Sequence, residues 1–177
     1  MQLYDYFRSS AAYRVRIALN LKGLAPERVF VHLRRNAQLT DAYLALNPQG
    51  LVPTLVTDDG EVLTQSLAIV EWLDETHPAP PLLPGTPAER ARVRALALAI
   101  ACDIHPLNNL RILNYLAREF GATQEQKDAW YRHWVDAGLL AVEELLAFEE
   151  RVEVGHLFGD VRERRKTLHR LGQTAGE

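Results

Sequence analysis

The sequence predicts an α/β domain followed by an all-helical domain. Strand and helix signals alternate through residues 1–76, whereas every signal after a proline-rich stretch is helical. Proline cannot continue a helix and stiffens a linker, which marks the boundary between the two parts. We therefore expect an α/β domain over 1–79, a proline-rich linker over 80–87 and a helical domain over 88–147.

The α/β part opens with a short aromatic-rich run at 3–7, which is typical of a strand. A helix is expected over 11–24, where Tyr13, Ile17, Leu21 and Leu24 recur at helical spacing. Signals of the same kind predict the other elements: strands at 28–33, 51–56 and 61–63, a turn at 58–60, and helices at 39–46 and from residue 65. The order strand, helix, strand, helix, hairpin, helix predicts an α/β unit with a mixed sheet, close to the thioredoxin arrangement.

Three helices are predicted in the second part. The first spans 88–103, with an apolar stripe that consists of Val93, Leu96, Ala97 and Ile100. His105-Pro106 interrupts it, and a helix resumes over 107–120. Thr123 and Gln126 have the spacing of a capping box, so a third helix is expected after them.

Composition excludes several classes of partner. The net charge of −3 gives no basic field for nucleic acid or an acidic membrane, and apolar runs such as 96–102 are too short to span a bilayer. Cys102 is the one cysteine, so we expect no disulfide, a reducing compartment and cytoplasmic localisation. We expect Cys102 to be buried and inert, and with no second cysteine or clustered histidines we expect no metal site.

Three places carry possible chemistry. Ser9 and Ser10 stand at a strand-to-helix turn that favours negative charge, although a serine there also fits a simple N-cap. If the Val52–Pro53 bond is cis, the backbone of Val52 is free to pair with an extended peptide. Gln65 and Ser66 begin a helix, where they suit either capping or carboxylate binding. A peptide with a thiol and a distant carboxylate would use all three places.

Four segments, 9–19, 47–55, 65–69 and 103–109, together resemble the zeta-class glutathione transferases, a class that includes maleylacetoacetate and maleylpyruvate isomerases. The resemblance covers about residues 1–146. It implies the glutathione transferase fold, with a thioredoxin-like glutathione domain, a cis Val52–Pro53 bond, an all-helical second domain and usually a homodimer.

The resemblance also implies a glutathione site. The sulfur would lie at Ser9, Ser10 and Ala11, and the γ-glutamyl end at Gln65 and Ser66. The other implied glutathione-site residues are Arg14, Gln38, Val52, Pro53, His105, Asn108, Asn109, Leu110 and Arg111. Many members have cysteine where this chain has Ala11, so a mechanism that needs a protein thiol there is not expected.

The implied activity is glutathione-dependent cis–trans isomerisation of a small-molecule maleyl keto acid such as maleylacetoacetate, a step of tyrosine degradation. Thiolate addition, bond rotation and elimination would give the fumaryl isomer. The Ser9 hydroxyl and the helix N-terminus would lower the thiol pKa, with Ser10 as a further catalytic residue, and Arg8 and Arg111 would hold the anions. Two further arginines, Arg14 and Arg16, are alternatives for that role, although either also fits a solvated helix flank. His105 fits a glutathione contact, an acid, or a structural residue at a helix break.

The tail at 148–177 is charge-dense and carries little periodic apolar content, which favours a solvated or disordered segment. By the standard of the family, the sequence stops several helices early. We therefore expect the helical part of the fold to be incomplete, through truncation or a shifted reading frame. Maleylpyruvate isomerisation and general glutathione transfer remain alternatives. A defective, non-catalytic chain that keeps the fold is an alternative of another class.

Overall fold

The computed structural model describes the backbone of residues 1–153 and the side chains of residues 1–147. Its four strands form one mixed sheet in the order β2-β1-β3-β4. They are β1 (Gln2–Asp5), β2 (Glu27–Phe30), β3 (Thr54–Val56) and β4 (Val62–Thr64). β1 runs parallel to β2 and antiparallel to β3, and β3 pairs antiparallel with β4. This is the mixed sheet that the order of elements predicted.

Six α-helices accompany the sheet along the described part of the chain. They are α1 (Ser10–Leu21), α2 (Asp41–Leu46), α3 (Ser66–Thr76), α4 (Pro87–Leu98), α5 (Leu110–Phe120) and α6 (Gln124–Glu153). Shorter 3₁₀ segments occupy Leu33–Arg35, Ala37–Leu39 and Pro106–Asn108, and Ala99–Ile104 forms a π-helical stretch. α6 continues past residue 147, where the sequence placed the start of the tail. The rest of that predicted tail, from residue 154, lies outside the described residues.

The core of the first part lies between the sheet and two helices. α1 and α3 pack together on one face, over a cluster that includes Leu3, Leu55 and Ile69, each with no exposed surface. Ile69 and Leu73 are the apolar residues that α3 buries in this cluster. A second apolar cluster contains Tyr6, Val31, Tyr43 and Val52.

The predicted apolar stripe of α1 does not face the core. Tyr13, Ile17 and Leu21 are 56%, 42% and 57% exposed. The buried face of the helix is instead formed mostly by small residues: Ala11, Ala12, Val15, Ala18 and Leu19. Small side chains let the helix approach the sheet closely. The face of α1 that packs against the sheet is therefore the one with small residues, not the one with the largest apolar side chains.

Several predicted boundaries shift for local reasons. β1 ends at Asp5 because the chain turns there, with the Ser9 N–H donating to Tyr6 O at 2.9 Å. β3 begins only at Thr54, after Pro53, which has no N–H for the sheet ladder. α5 begins at Leu110, not at 107, because the Asn109 side chain caps it. Pro87, which the sequence assigned to the linker, is the first residue of α4.

The ends of the other helices follow sequence signals. The predicted capping box before α6 is present, since the Thr123 hydroxyl accepts from Gln126 N–H and the Gln126 side chain accepts from Thr123 N–H. Gly121 ends α5 with a φ of 64°. No helix among the described residues is long and apolar enough to cross a membrane.

Candidate active site

The first part of the site is the turn between β1 and α1. Ser9 is the N-cap of α1, and its Oγ accepts from Ala12 N–H at 3.1 Å. A hydroxyl has one proton as well as two lone pairs, so capping leaves the Ser9 proton free to donate. Within the described residues, the N–H groups of Ser10 and Ala11 have no acceptor. The turn therefore offers three donors, and the predicted N-cap role of Ser9 is compatible with an anion at this turn.

A buried ion pair fixes this turn. The Asp5 side chain is almost fully buried and accepts from Arg16 Nη1 at 3.0 Å and from Arg28 Nη2 at 2.8 Å. Arg16 also donates through Nη2 to Phe7 O at 3.2 Å. Because Asp5 and the turn carbonyl engage its guanidinium, Arg16 is not a candidate for holding a substrate anion. The sequence analysis did not predict these ion pairs, although an aspartate inside the apolar run 3–7 is a signal of them.

The second part of the site is the segment before β3. The Val52–Pro53 bond is cis, as the resemblance implied. Leu51 O accepts from Tyr43 Oη at 2.6 Å and from Asn47 Nδ2 at 2.9 Å, which holds the chain just before Val52. The N–H and C=O of Val52 form no hydrogen bond with any described residue. An unpaired backbone group of this kind fits the addition of an extended peptide.

The third part of the site is the start of α3. Gln65 has a φ of 67° and a ψ of 115°, an uncommon conformation for a residue with a Cβ. Its side chain donates to Gln49 Oε1 at 2.8 Å and does not cap the helix. The capping interpretation is therefore wrong for Gln65. The first N–H groups of α3 remain open beside the buried Ser66, which suits a carboxylate.

Some of the other predicted glutathione-site residues are also unsatisfied. Gln38 Oε1 and Asn108 Oδ1 are buried without a hydrogen-bond partner among the described residues. Asn109 is occupied as the cap of α5, where it accepts from Arg111 N–H at 3.1 Å. Leu110 and the Arg111 side chain are exposed at the start of that helix. Unsatisfied buried oxygens are rare in native structures and point to a missing donor.

One hydrogen bond joins the Ser9 turn to the helical part. Ser10 Oγ lies 3.0 Å from His105 Nδ1. Burial, then Arg14 and Arg111, lower the pKa of His105 below its ordinary value of 6.5. The imidazole is therefore neutral at neutral pH and can accept from the Ser10 hydroxyl. His105 also connects the π-helical stretch to the 3₁₀ segment, so its position at a helix break and its contact with the site coexist.

The predicted arginines differ in how exposed their side chains are. Arg8 is exposed and forms no ion pair with a described residue. Arg14 is half-buried, and its Nη1 has no solvent contact and no hydrogen-bond partner among the described residues. The interpretation of Arg14 as a solvated flank residue is therefore wrong.

Cys102 is exposed, so the prediction of a buried cysteine is wrong. It lies in the π-helical stretch Ala99–Ile104, whose wider turn shifts the faces of the helix away from the 3.6-residue period. A cavity of about 450 Å³ lies between this stretch and α6, lined by residues that include Cys102, Leu107 and Trp134. None of the predicted glutathione residues lines it. No group of three metal-ligating side chains occurs among the described residues.

Comparisons with known proteins place these features in a family. The family model "Glutathione S-transferase, N-terminal domain" matches residues 8–76. A probable maleylacetoacetate isomerase of Vibrio cholerae is 57% identical over 147 residues, which cover 81% of this chain and 67% of the relative. The holo structure of a maleylpyruvate isomerase, a bacterial glutathione transferase of the zeta class, is 52% identical with a TM-score of 0.80, and the match covers 83% of this chain and 69% of that one. The chain belongs to the zeta-class glutathione transferases.

A second structure of this class includes bound molecules. It is maleylacetoacetate isomerase from Methylobacterium extorquens AM1 with bound malonate and glutathione. It is 46% identical, with a TM-score of 0.81, and the match covers 83% of this chain and 69% of the other. The thioredoxin-like domain and the helical region after it are those of the zeta class.

Proposed function

We propose that this zeta-class chain is a glutathione-dependent cis–trans isomerase that converts a maleyl keto acid, such as maleylacetoacetate, to its fumaryl isomer. One observation carries the proposal. Unpaired polar groups occur at the Ser9 turn, at Val52 and at the start of α3, all within the region that matches the glutathione transferase family model. Relatives at 46% and 57% identity are named as maleylacetoacetate isomerases, one with glutathione bound.

The unsatisfied groups fit glutathione part by part. The N–H and C=O of Val52 would pair with its cysteinyl backbone, while Ser66 and the open N–H groups of α3 would hold the γ-glutamyl carboxylate. Gln38, which is partly exposed and whose Oε1 has no hydrogen-bond partner among the described residues, would provide a further contact through its side-chain amide. Bound glutathione supplies the nucleophilic thiolate that this chain, with Ala11 at the third position of its motif, does not provide.

The Ser9 turn would favour the charged form of that sulfur. The free Ser9 proton and the N–H groups of Ser10 and Ala11 are donors, and the α1 dipole adds positive potential at the same place. Donors directed at a thiolate lower the pKa of the thiol, which is ordinarily near 8.5. The neutral His105 keeps Ser10 oriented without bringing a second proton to the sulfur.

Positive charge near the turn would hold the carboxylates of the substrate. Arg8 precedes the two serines, and Arg111 is close enough to His105 to lower its pKa. Both arginines are exposed and form no ion pair with a described residue, so they can engage an incoming anion. We place them, together with Ser9 and Ser10, in the catalytic machinery.

The choice of substrate stays open between maleylacetoacetate and maleylpyruvate, since relatives of both names resemble this chain. A homodimer and a cytoplasmic setting are part of the same proposal, and the resemblance and the single cysteine support them. A non-catalytic chain that keeps the fold is the second candidate. It is favoured by the sparse core of the helical part, where Ile104 is the one buried apolar residue among those described.

The test follows loss of the cis substrate by the full chain, with and without glutathione. Ser9→Ala removes the donor to the sulfur and should lower kcat/KM about a hundredfold, as the loss of one charge-stabilising donor does. Ser9→Thr keeps both the proton and the cap and should retain most of the activity. A wild-type rate that does not depend on glutathione would refute the isomerase, and binding of glutathione without turnover would favour the second candidate.

A further inference from the structure

Arg14 is a charged side chain without a counter-charge. Its Nη1 atom has no solvent contact and no hydrogen-bond partner among the described residues. No described acidic residue forms an ion pair with it, in contrast to Arg16 on the same helix, which is paired with Asp5. Burial lowers the pKa of the Arg14 guanidinium, yet an arginine in a protein keeps its proton at neutral pH. The chain therefore holds a partly desolvated positive charge that nothing described neutralises.

The position of Arg14 is defined by its neighbours. It follows Ser10 by one helical turn on α1, so the two side chains share a face of that helix. Arg14 lowers the pKa of His105, the residue that contacts Ser10 at 3.0 Å. Arg14 is thus next to the Ser10–His105 contact, where α1 meets the segment that leads into α5.

A desolvated guanidinium without a partner is costly, and such groups in native proteins normally face an anion. Two other anions could in principle pair with Arg14: a carboxylate of glutathione and the thiolate of Cys102. The carboxylates of glutathione are remote from its sulfur, and the proposed site for the γ-glutamyl one is the start of α3. Cys102 is close enough for a thiolate there to raise the pKa of Arg14, but it forms no hydrogen bond with the guanidinium. The place beside the sulfur site is left for a carboxylate of the reacting molecule.

We propose that Arg14 binds a carboxylate of the acidic substrate through the part of its guanidinium that solvent reaches, in addition to the exposed Arg8 and Arg111. This inference rests on the proposed function, since it assigns a substrate group to the same site. The planar guanidinium presents paired N–H groups that match a carboxylate. Arg14 would then fix one end of the substrate beside the glutathione sulfur, where the double bond must lie to react.

The experiment measures binding rather than turnover, so that it does not depend on the isomerase assay. Malonate, the dicarboxylate present with glutathione in the Methylobacterium extorquens structure, is titrated calorimetrically into the glutathione-saturated full chain. Arg14→Gln should weaken malonate binding at least about tenfold, as expected for the loss of a hydrogen bond to a charged group. Arg14→Lys, which keeps the charge but not the paired N–H groups of the guanidinium, should give an intermediate affinity for malonate. The affinity for glutathione should change less than threefold in both variants.

Two further variants serve as controls. Arg90→Gln removes an exposed arginine from the first turn of α4 and should leave malonate affinity unchanged. Cys102→Ser should also leave it unchanged, and a tenfold change there would overturn the proposal by making the thiolate the partner of Arg14. Unchanged malonate affinity in Arg14→Gln, or an equal loss of glutathione affinity, would overturn it, as would the absence of malonate binding to the wild type. Arg14-dependent malonate binding without isomerase activity would support the carboxylate site and refute the proposed function.

Discussion

The two parts of this chain differ in how they are held together. Residues 1–79 contain nearly all of the buried apolar side chains among the described residues, whereas the helical residues 88–147 bury only Ile104. Two hydrogen bonds connect these two ranges in the described structure: Ser10 Oγ to His105 Nδ1, and Arg94 Nε to Glu71 Oε1. The sheet part has its own core, while helix caps and a thin apolar layer organise the helical part. Stability therefore depends mainly on the first part of the chain, which also contains most of the proposed glutathione site.

A pair of leucine substitutions tests this difference where the expected effect is largest. Leu55 on β3 has no exposed surface, so Leu55→Ala should lower the free energy of unfolding by about 2–5 kcal/mol. Leu139 on α6 is 46% exposed, so Leu139→Ala should change it by less than about 0.5 kcal/mol. Urea unfolding of both variants measures the contrast. Equal losses would show that the helical part has a core comparable to that of the sheet.

The next prediction concerns Ile104, the one buried apolar residue described in the helical part, and its neighbour Gly138. A Cβ at Gly138 on α6 would overlap the Cγ1 and Cδ1 atoms of Ile104. Gly138→Ala should therefore lower the free energy of unfolding by about 1–3 kcal/mol, although alanine is the better helix former.

The double variant Gly138→Ala, Ile104→Ala provides the control. Once the Ile104 side chain is removed, the added methyl group has space, and adding it should become neutral or stabilising. Chemical denaturation of the two single variants and the double variant gives the coupling between the residues. Additive losses would mean that Ile104 and Gly138 do not hold the helical part together.

A third, smaller effect is the pH dependence of folding stability that His105 causes at the boundary between the two parts. Burial, Arg14 and Arg111 lower the pKa of His105 in the folded chain, while in the unfolded chain it returns to about 6.5. As the pH falls below that value, the unfolded chain takes up the proton first, so folding stability declines until the folded pKa is reached. Above pH 7 both states are neutral at this residue and the effect vanishes.

His105→Gln removes this titration. The loss of unfolding free energy between pH 7.5 and pH 5.5 should therefore be smaller in His105→Gln than in the wild type, as measured by urea unfolding at both values. His77→Gln, at the C-terminal end of α3, is the control for replacing a histidine elsewhere in the chain. An equal pH dependence in wild type and His105→Gln would show that His105 is not desolvated at the boundary.

Local signals predicted most of the architecture. The Ser9 turn, the Thr123 and Gln126 capping box and the order of strands and helices depend on residues close in sequence, and the structure contains all of them. The face that a helix buries is a tertiary property. The sequence pattern selected Tyr13, Ile17 and Leu21 of α1, yet the alanine-rich face is buried because it permits close packing.

The state of individual side chains was harder to predict. A half-buried Arg14 and an exposed Cys102 depend on how α1 and the π-helical stretch meet, and no local pattern encodes that contact. The positive φ of Gln65 is likewise invisible in a Gln-Ser pair, because strain at a functional position is imposed by the surrounding fold. The resemblance supplied the residues of the predicted site, and the structure supplied their hydrogen-bonding state.

The hydroxyl of Ser9 limits which substitutions that position tolerates. Its lone pair stabilises α1 and its proton is available to an anion, so one small group serves two separable requirements. Aspartate and asparagine cap helices as well as serine does, but neither offers a hydroxyl proton, and aspartate would add a negative charge where another must be held. Threonine keeps both the capping oxygen and the hydroxyl proton. Under the proposed function, a lineage that drifted to Asp here would keep a well-folded protein whose chemistry had been lost, and measurements of stability would give no sign of the change.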